Sequence, residues 1–394
     1  MFIKSTFRMT VAGLAVAVAI AGAFSAHAAD PIKVGLSGPF TGGSSPMGVS
    51  MRDAIRLAVE EINRAGGVLG RPLQLIERDD EAKNERGAQV AQELIHKENV
   101  VASVGIINTG IILASARFYQ EARIPVITPG PTGTQVTRLF QPPEYTENYV
   151  FRVSLPDNIQ ADMIAEEAVN KRGYKKLAIL ADSTNYGQLG REDMTAALDK
   201  RGVKPVVVEK FNVKDVDMTP QLLRAKNAGA EVILTYAVGP ELAQIANGMA
   251  KLNWKVPMIG SHTLSMPNFI ETAGANAEGA VFPQTFVPGA TAKGTAFIEN
   301  YKKTYKVERI AGLGWAAPGY DTVYLLAAAI KQAGSTDGPK IREALENLKE
   351  PVDGVLMRYS KPFSKDDHEL FKDSSKALMA TIRKGEVVRA ADVK

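Results

Sequence analysis

From Pro31 onward, short apolar runs alternate with stretches whose apolar residues recur every three or four positions. The run IKVGLSG reads as a buried strand ending in glycine. After the loop PFTGGSSPMG comes VSMRDAIRLAVEEINRAGG, where Met51, Ile55, Val59 and Ile62 fall on one face of a helix. Gly66 and Gly67 stop that helix, because glycine accepts the backbone geometry of a helix C-terminus. RPLQLIERDD, VVASVGI and IPVITP are predicted strands, separated by helices over ERGAQVAQELIHKE and GIILASARFYQEA.

Near residue 150 the alternation starts again. NIQADMIAEEAVNKRG, REDMTAALDKRG, TPQLLRAKNAG and GPELAQIANGMAKLN are predicted helices, and KKLAILAD, KPVVVEKF, AEVILTYA and VPMIGSH predicted strands. STNYGQLG is expected to be a loop. Continuous apolar strands between amphipathic helices imply parallel sheets covered on both faces. The expected fold class is α/β, with two doubly wound, Rossmann-like lobes. The last part is more helical, over GTAFIENYKKTY, GYDTVYLLAAAIKQAG and GPKIREALENLK, before strand-like VLMRYS and KALMATIRKGEVVRA. A closing strand cannot stand alone, so the tail must return to an earlier sheet, and the chain crosses between lobes more than once.

The N-terminus adds a destination. Lys4 and Arg8 precede an unbroken run of apolar and small residues from Val11 to Phe24, and Ala26-His27-Ala28 follows. This is the pattern of a secretory signal peptide, with cleavage expected after Ala28. The apolar run is too short for a membrane-spanning helix, which needs roughly 20 residues. The chain has no cysteine, which excludes disulfides and a lipid anchor on cysteine. With 47 Lys and Arg against 43 Asp and Glu, and basic clusters not interleaved with aromatics, nucleic acid is not an expected partner.

In open parallel sheets, ligands bind beyond the carboxyl ends of the strands. SGPFTGGSSPMG lies there, but its Gly38, Gly42 and Gly43 match neither a P-loop nor a dinucleotide fingerprint, and it holds no G-x-S-x-G. It is either a ligand loop or a plain glycine-rich turn. Thr109, in GIINTG, falls at a helix start, where it either caps the helix or helps hold an anion. TPGPTGTQ leaves the next strand and allows close backbone approach. Tyr186, in STNYGQLG, offers a flat face and a hydroxyl from the other lobe. Of the histidines, His27 leaves with the leader, His96 reads as solvated, and His262 lies at a strand end, with a structural or a site role. No pair has metal-ligand spacing, and neither metal nor cofactor is expected. Asp79-Asp80-Glu81 reads as a solvated strand end.

Taken together, IKVGLSGPFTG, EEINRAGGVLGRPLQL, IPVITPGPTGT, YGQLG and GYDTVYLLAAAI resemble the periplasmic solute-binding proteins of ABC importers, of the branched-chain amino-acid type. The resemblance covers essentially the whole chain after the leader. It implies a type I periplasmic binding protein fold, with two lobes joined by three crossovers. The expected division is a leader over 1–28, a first lobe over 29–152 plus 284–355, and a second over 153–283 plus 356–394. It implies a non-enzymatic monomer that captures one small ligand between the lobes in the periplasm and delivers it to an ABC permease in the inner membrane. By position, Thr109, Gly130 and Thr132 match the family's carboxylate-holding loops, Tyr186 its second-lobe tyrosine, and Trp315 a late pocket aromatic. Three departures stand out. His262 stands where amino-acid binders have an acid for the ligand ammonium, Val238 replaces a tyrosine, and Met47 stands where a tyrosine is common. Either another acid such as Glu241 reaches in, or the ligand lacks an ammonium, since a buried ammonium without a partner is costly. An apolar amino acid and an aromatic carboxylate both stay open, as does a ligand-sensing role beside a membrane receptor.

Overall fold

The computed structural model describes residues 30–393 and, before them, only Met1, so the expected leader otherwise lies outside the described residues. The first sheet holds five parallel strands in the order β2-β1-β3-β4-β5. These are β1 (Ile32–Gly38), β2 (Leu73–Asp79), β3 (Ala102–Gly105), β4 (Val126–Thr128) and β5 (Val150–Arg152). The helices α1 (Ser45–Arg64), α2 (Asn84–Gln92) and α3 (Thr109–Ala122) connect the first four. β1 lies inside the sheet between β2 and β3, and its Ile32, Val34 and Leu36 are buried, which is why the strand reads as almost continuously apolar.

The second sheet runs β14-β13-β10-β9-β8-β6-β7. Its parallel strands are β6 (Leu177–Asp182), β7 (Val207–Phe211), β8 (Val232–Tyr236), β9 (Met258–Gly260) and β10 (Val281–Gln284). Helices α4 (Asp157–Ala165), α5 (Asn185–Asp199), α6 (Thr219–Asn227), α7 (Glu241–Lys251) and α8 (Pro267–Ala273) alternate with them. The chain then returns to the first lobe through α9 (Ala292–Tyr305), α10 (Leu313–Ala333) and α11 (Gly338–Glu346). α10 lies along α1, and Gly319 keeps the approach close: a Cβ would stand 3.0 Å from Met51 Cγ. The tail closes the second sheet with an antiparallel hairpin, β13 (Leu378–Arg383) and β14 (Glu386–Arg389), so the expected return strand belongs to that sheet. The fold is that of the type I periplasmic binding proteins.

Two expectations need correction. Residues 356–371, expected in the second lobe, pack on the first. The short strands β11 (Val352–Asp353) and β12 (Arg358–Tyr359) pair only with each other, and Tyr359 bonds Asp321 of α10. Phe363 packs on Phe151 at 5.1 Å, and His368 stacks on the same ring at 3.9 Å. The backbone around Glu369 then extends the open edge of β5 through two 3.0 Å hydrogen bonds with Arg152. The last crossing therefore follows Phe371, because the buried Tyr359, Phe363, His368 and Phe371 and the backbone around Glu369 complete the first sheet's edge. The second correction concerns STNYGQLG, which is helix from Asn185 onward. Thr184 caps it by accepting the Gly187 N–H at 3.2 Å.

Glycines in α5 set how closely it sits on its sheet. At Gly190 a Cβ would lie 1.9 Å from the Tyr236 ring, which is fully buried. Alanine would gain up to about 1 kcal/mol of helix propensity, but such overpacking costs about 1–3 kcal/mol. The clash wins because Tyr236 is also tied by its hydroxyl to Asp157. Gly190→Ala is expected to lower the urea midpoint of unfolding; a midpoint at or above that of the parent contradicts this packing.

Candidate functional site

The carboxyl ends of both sheets face each other across a cleft. Met47, Thr109, Gly130, Thr132, Tyr186, His262 and Trp315 line one cavity there, together with Val238. A second cavity adjoins it through Gly130, Thr132, His262 and Trp315 and reaches Gln160 and Gln284. Each encloses about 20 Å³, space for roughly one water molecule. A larger cavity of 470 Å³ lies elsewhere, behind Arg152 and Glu369 at the crossovers. The strand-end cavities are the candidate site because both lobes' connecting loops converge on them.

The first lobe contributes backbone. Gly130 is required by the approach of two loops, since a Cβ would stand 2.5 Å from Ile107 Cα. Ile106 adopts φ 64°, a left-handed conformation costly for a β-branched residue, and it sits immediately before this contact. Asn108, not Thr109, occupies the cap position of α3, and its side chain makes no capping bond. Thr109 Oγ1 instead accepts the Gly133 N–H at 3.2 Å, tying α3 to the loop that carries Thr132. The Ile111 N–H donates back to Asn108 O at 3.0 Å, while the Thr109 and Gly110 N–H groups precede the first helical carbonyl and lie at the positive end of the helix, a setting that suits an anion. Loop 129–134 is held from behind by Arg152, whose Nη1 donates to Gly133 O at 2.6 Å.

The second lobe contributes side chains. Tyr186 is in the first turn of α5, buried, with its ring 6.4 Å from His262 and 5.4 Å from Tyr236. His262 follows β9, half-buried where the two cavities meet, and its ring is 5.1 Å from Trp315 in the first turn of α10. Burial pushes its imidazole down to about 4, so the ring is neutral at physiological pH. Neither cavity is lined by an Asp, Glu, Lys or Arg side chain. Glu241 does not reach in; it is buried at the start of α7 and accepts the Lys214 N–H.

Buried polar residues on α4 and at the end of β2 add to the surroundings of the site. Gln160 on α4 bonds His262 twice; the available signal was a polar residue on the buried face formed with Ala161 and Ile164. Asp157, also on that face, is fully buried with Oδ2 lacking a protein partner, and burial pushes it up to about 7 despite the Thr132 hydroxyl. Asp80 is not solvated. It is fully buried, accepts from Ser37 Oγ and the Ala82 N–H at 3.0 Å, and burial raises it to about 6. Among the described residues, no cluster of three His, Cys, Asp or Glu side chains is arranged to hold a metal ion.

The lobes also touch around the mouth of the cleft. Asn84 donates to Asn185 at 3.1 Å, Thr134 to Asp193 at 2.7 Å, and Asn268 to Gly43 O at 2.9 Å. Arg309 and Glu271 form an exposed ion pair across the same rim.

Comparison with known proteins agrees with this architecture. The chain is 29% identical over 357 residues to an amino acid binding protein of Pseudomonas aeruginosa, covering 90% of this chain and 91% of that one. It superposes with a TM-score of 0.79 on the branched-chain amino acid transporter substrate binding protein of Streptococcus pneumoniae in complex with isoleucine, at 25% identity over 91% and 99% of the two chains. A solute binding protein of an ABC transporter from Rhodopseudomonas palustris, in complex with 3,4-dihydroxybenzoic acid, shares the fold with a TM-score of 0.78 at 22% identity, covering 91% and 95%. The periplasmic binding protein family profile matches residues 31–385, and the chain belongs to that family.

Proposed function

We propose that the protein is the substrate-binding component of an ABC importer, acting as a monomer in the periplasm. It captures a small carboxylate-bearing solute between its lobes and delivers it to a permease in the inner membrane. The observation that carries this reading is the convergence of strand-end loops from both sheets on uncharged cavities beside the start of α3. Such a site has no charged side chain in its lining, and the start of α3 offers it backbone N–H groups for an anion. The cavities are far smaller than any such solute, so loading requires the lobes to part. A ligand that touches both lobes then shifts the population toward the closed form.

Two solute classes fit. The names of the Pseudomonas and Streptococcus relatives favour a branched-chain or other apolar amino acid. The absence of a charged wall, with Trp315, Met47 and neutral His262 in place of an acid, favours an aromatic carboxylate. Calorimetric titration with leucine, isoleucine, valine and benzoate separates the classes. In either class, Thr132→Ala is expected to weaken the bound carboxylate about tenfold, the scale of one hydrogen bond to a charged group, without lowering the thermal midpoint by more than a few degrees. An unchanged dissociation constant removes Thr132 from the site. Uptake that persists after deletion of the cognate permease would favour the ligand-sensing alternative over transport.

A further inference from the structure

The second-lobe wall has a definite hydrogen-bond polarity, set by partners that lie outside the cavities. Gln160 Nε2 donates to Leu155 O at 2.9 Å, which fixes the orientation of its amide. Its Oε1 therefore faces His262, 3.1 Å from the backbone N and 2.9 Å from Nδ1. A carbonyl oxygen only accepts, so Nδ1 carries the ring proton and Nε2 carries the lone pair. Tyr186 is fixed by a chain of hydroxyls. Thr263 Oγ1 donates to Ala237 O at 2.6 Å, which uses its proton. The 2.8 Å contact between Ser261 and Thr263 is then a donation from Ser261. The 2.5 Å contact between Tyr186 and Ser261 is in turn a donation from Tyr186. With its proton committed, Tyr186 Oη can only accept from a ligand.

We infer that Gln160 is a positioning residue that holds His262 as the Nδ1–H tautomer, and that His262 Nε2 and Tyr186 Oη form a neutral, acceptor-only wall that reads a hydroxyl group on the ligand. The ligand class is a hydroxylated aromatic carboxylate, its anionic end at α3 and its hydroxyl toward the second lobe. An ammonium at this wall would meet two neutral acceptors and no carboxylate, a costly burial for a charge. Burial of the imidazole keeps it from acquiring a second proton and becoming a donor. This inference rests on the carboxylate reading proposed above.

Two measurements on the purified protein test it. The first is nitrogen NMR of the His262 ring without ligand. A pyrrole-type Nδ1 and a pyridine-type Nε2 are expected, and the opposite assignment overturns the inference whatever the protein binds. In Gln160→Leu the tautomer ratio is expected to shift toward Nε2–H. The second is titration with 4-hydroxybenzoate, benzoate and leucine. 4-Hydroxybenzoate is expected to bind at least about tenfold tighter than benzoate, because benzoate leaves the buried acceptors unpaired. In Gln160→Leu that ratio should fall toward one. Should this variant fail to fold, the tautomer and affinity ratio of the parent protein still decide. Equal binding of the two benzoates, or binding of leucine alone, overturns the inference and leaves the carboxylate-importer reading standing. Binding of none of the three removes both.

Discussion

Replacing Glu369 with alanine is expected to destabilise the protein by about 3–5 kcal/mol, the cost of leaving a buried charge without its partner. Arg152 is only 1% exposed, and its guanidinium donates from Nε to Glu369 at 2.7 Å and from Nη2 to the second carboxylate oxygen. Thr137 donates to the same carboxylate. Without Glu369, the arginine retains only Gly133 O among the partners named here, and that carbonyl belongs to the loop carrying Thr132. The loss should therefore appear twice, as a lower urea midpoint and as weaker ligand binding under conditions where the variant is still folded. Pairing Glu369→Leu with Arg152→Met should recover most of the stability, because removing both charges also removes their desolvation. It should not recover binding, since Gly133 O then has no donor. A Glu369→Ala loss below about 1 kcal/mol would mean that water or another group satisfies Arg152.

The second large effect is pH-dependent and belongs to Asp157. Its carboxyl ionises near 3.8 when unfolded and is pushed up to about 7 when folded, chiefly by burial. Asp193 reinforces the shift, while Thr132, Arg152 and Tyr236 oppose it. Between those two values the folded state holds a proton that the unfolded state has lost. Stability therefore falls as pH rises through this window and levels off above about 7. Asp157→Asn abolishes that contribution. At pH 8 the variant should be more stable than the parent by on the order of 4 kcal/mol, and near pH 4 the two should nearly coincide. Urea unfolding at both pH values measures the difference directly, and a pH-independent gap would show that Asp157 is not the titrating group. The titrating residue is tied to the ligand loop at the start of α4, where Thr132 O accepts the Asp157 N–H at 2.7 Å.

Much of this molecule is legible from periodicity because its strands are buried on both faces. β3, β4 and β9 read as short apolar runs, and the loops that leave them place Thr109, Gly130, Thr132 and His262 at one end of the sheets. STNYGQLG misled for a local reason. Its glycines suggest a turn, but Gly187 is glycine because a Cβ would stand 2.3 Å from Asp182 Oδ1, and Gly190 because of Tyr236. Gln160 was invisible because its meaning depends on His262, 102 positions away. The segment 356–371 was misplaced because its anchor on the first sheet, Glu369 with Arg152, spans 217 positions. Local patterns report which face of an element is buried; they do not report which partner buries it.

The contacts around the cleft mouth bear on timing. Asn84–Asn185, Thr134–Asp193, Asn268–Gly43 and Arg309–Glu271 share no residue and sit at separate points of the rim. Each is a single contact, about 1 kcal/mol or less for the neutral hydrogen bonds and the exposed ion pair and about 1.5–3 kcal/mol for Thr134 on the Asp193 carboxylate, so each can break while the others hold. Escape of a bound solute then has no one latch to set its pace. Dwell time follows the solute's own grip on the two walls, and a transporter that displaces one corner of the rim shortens the wait for the rest.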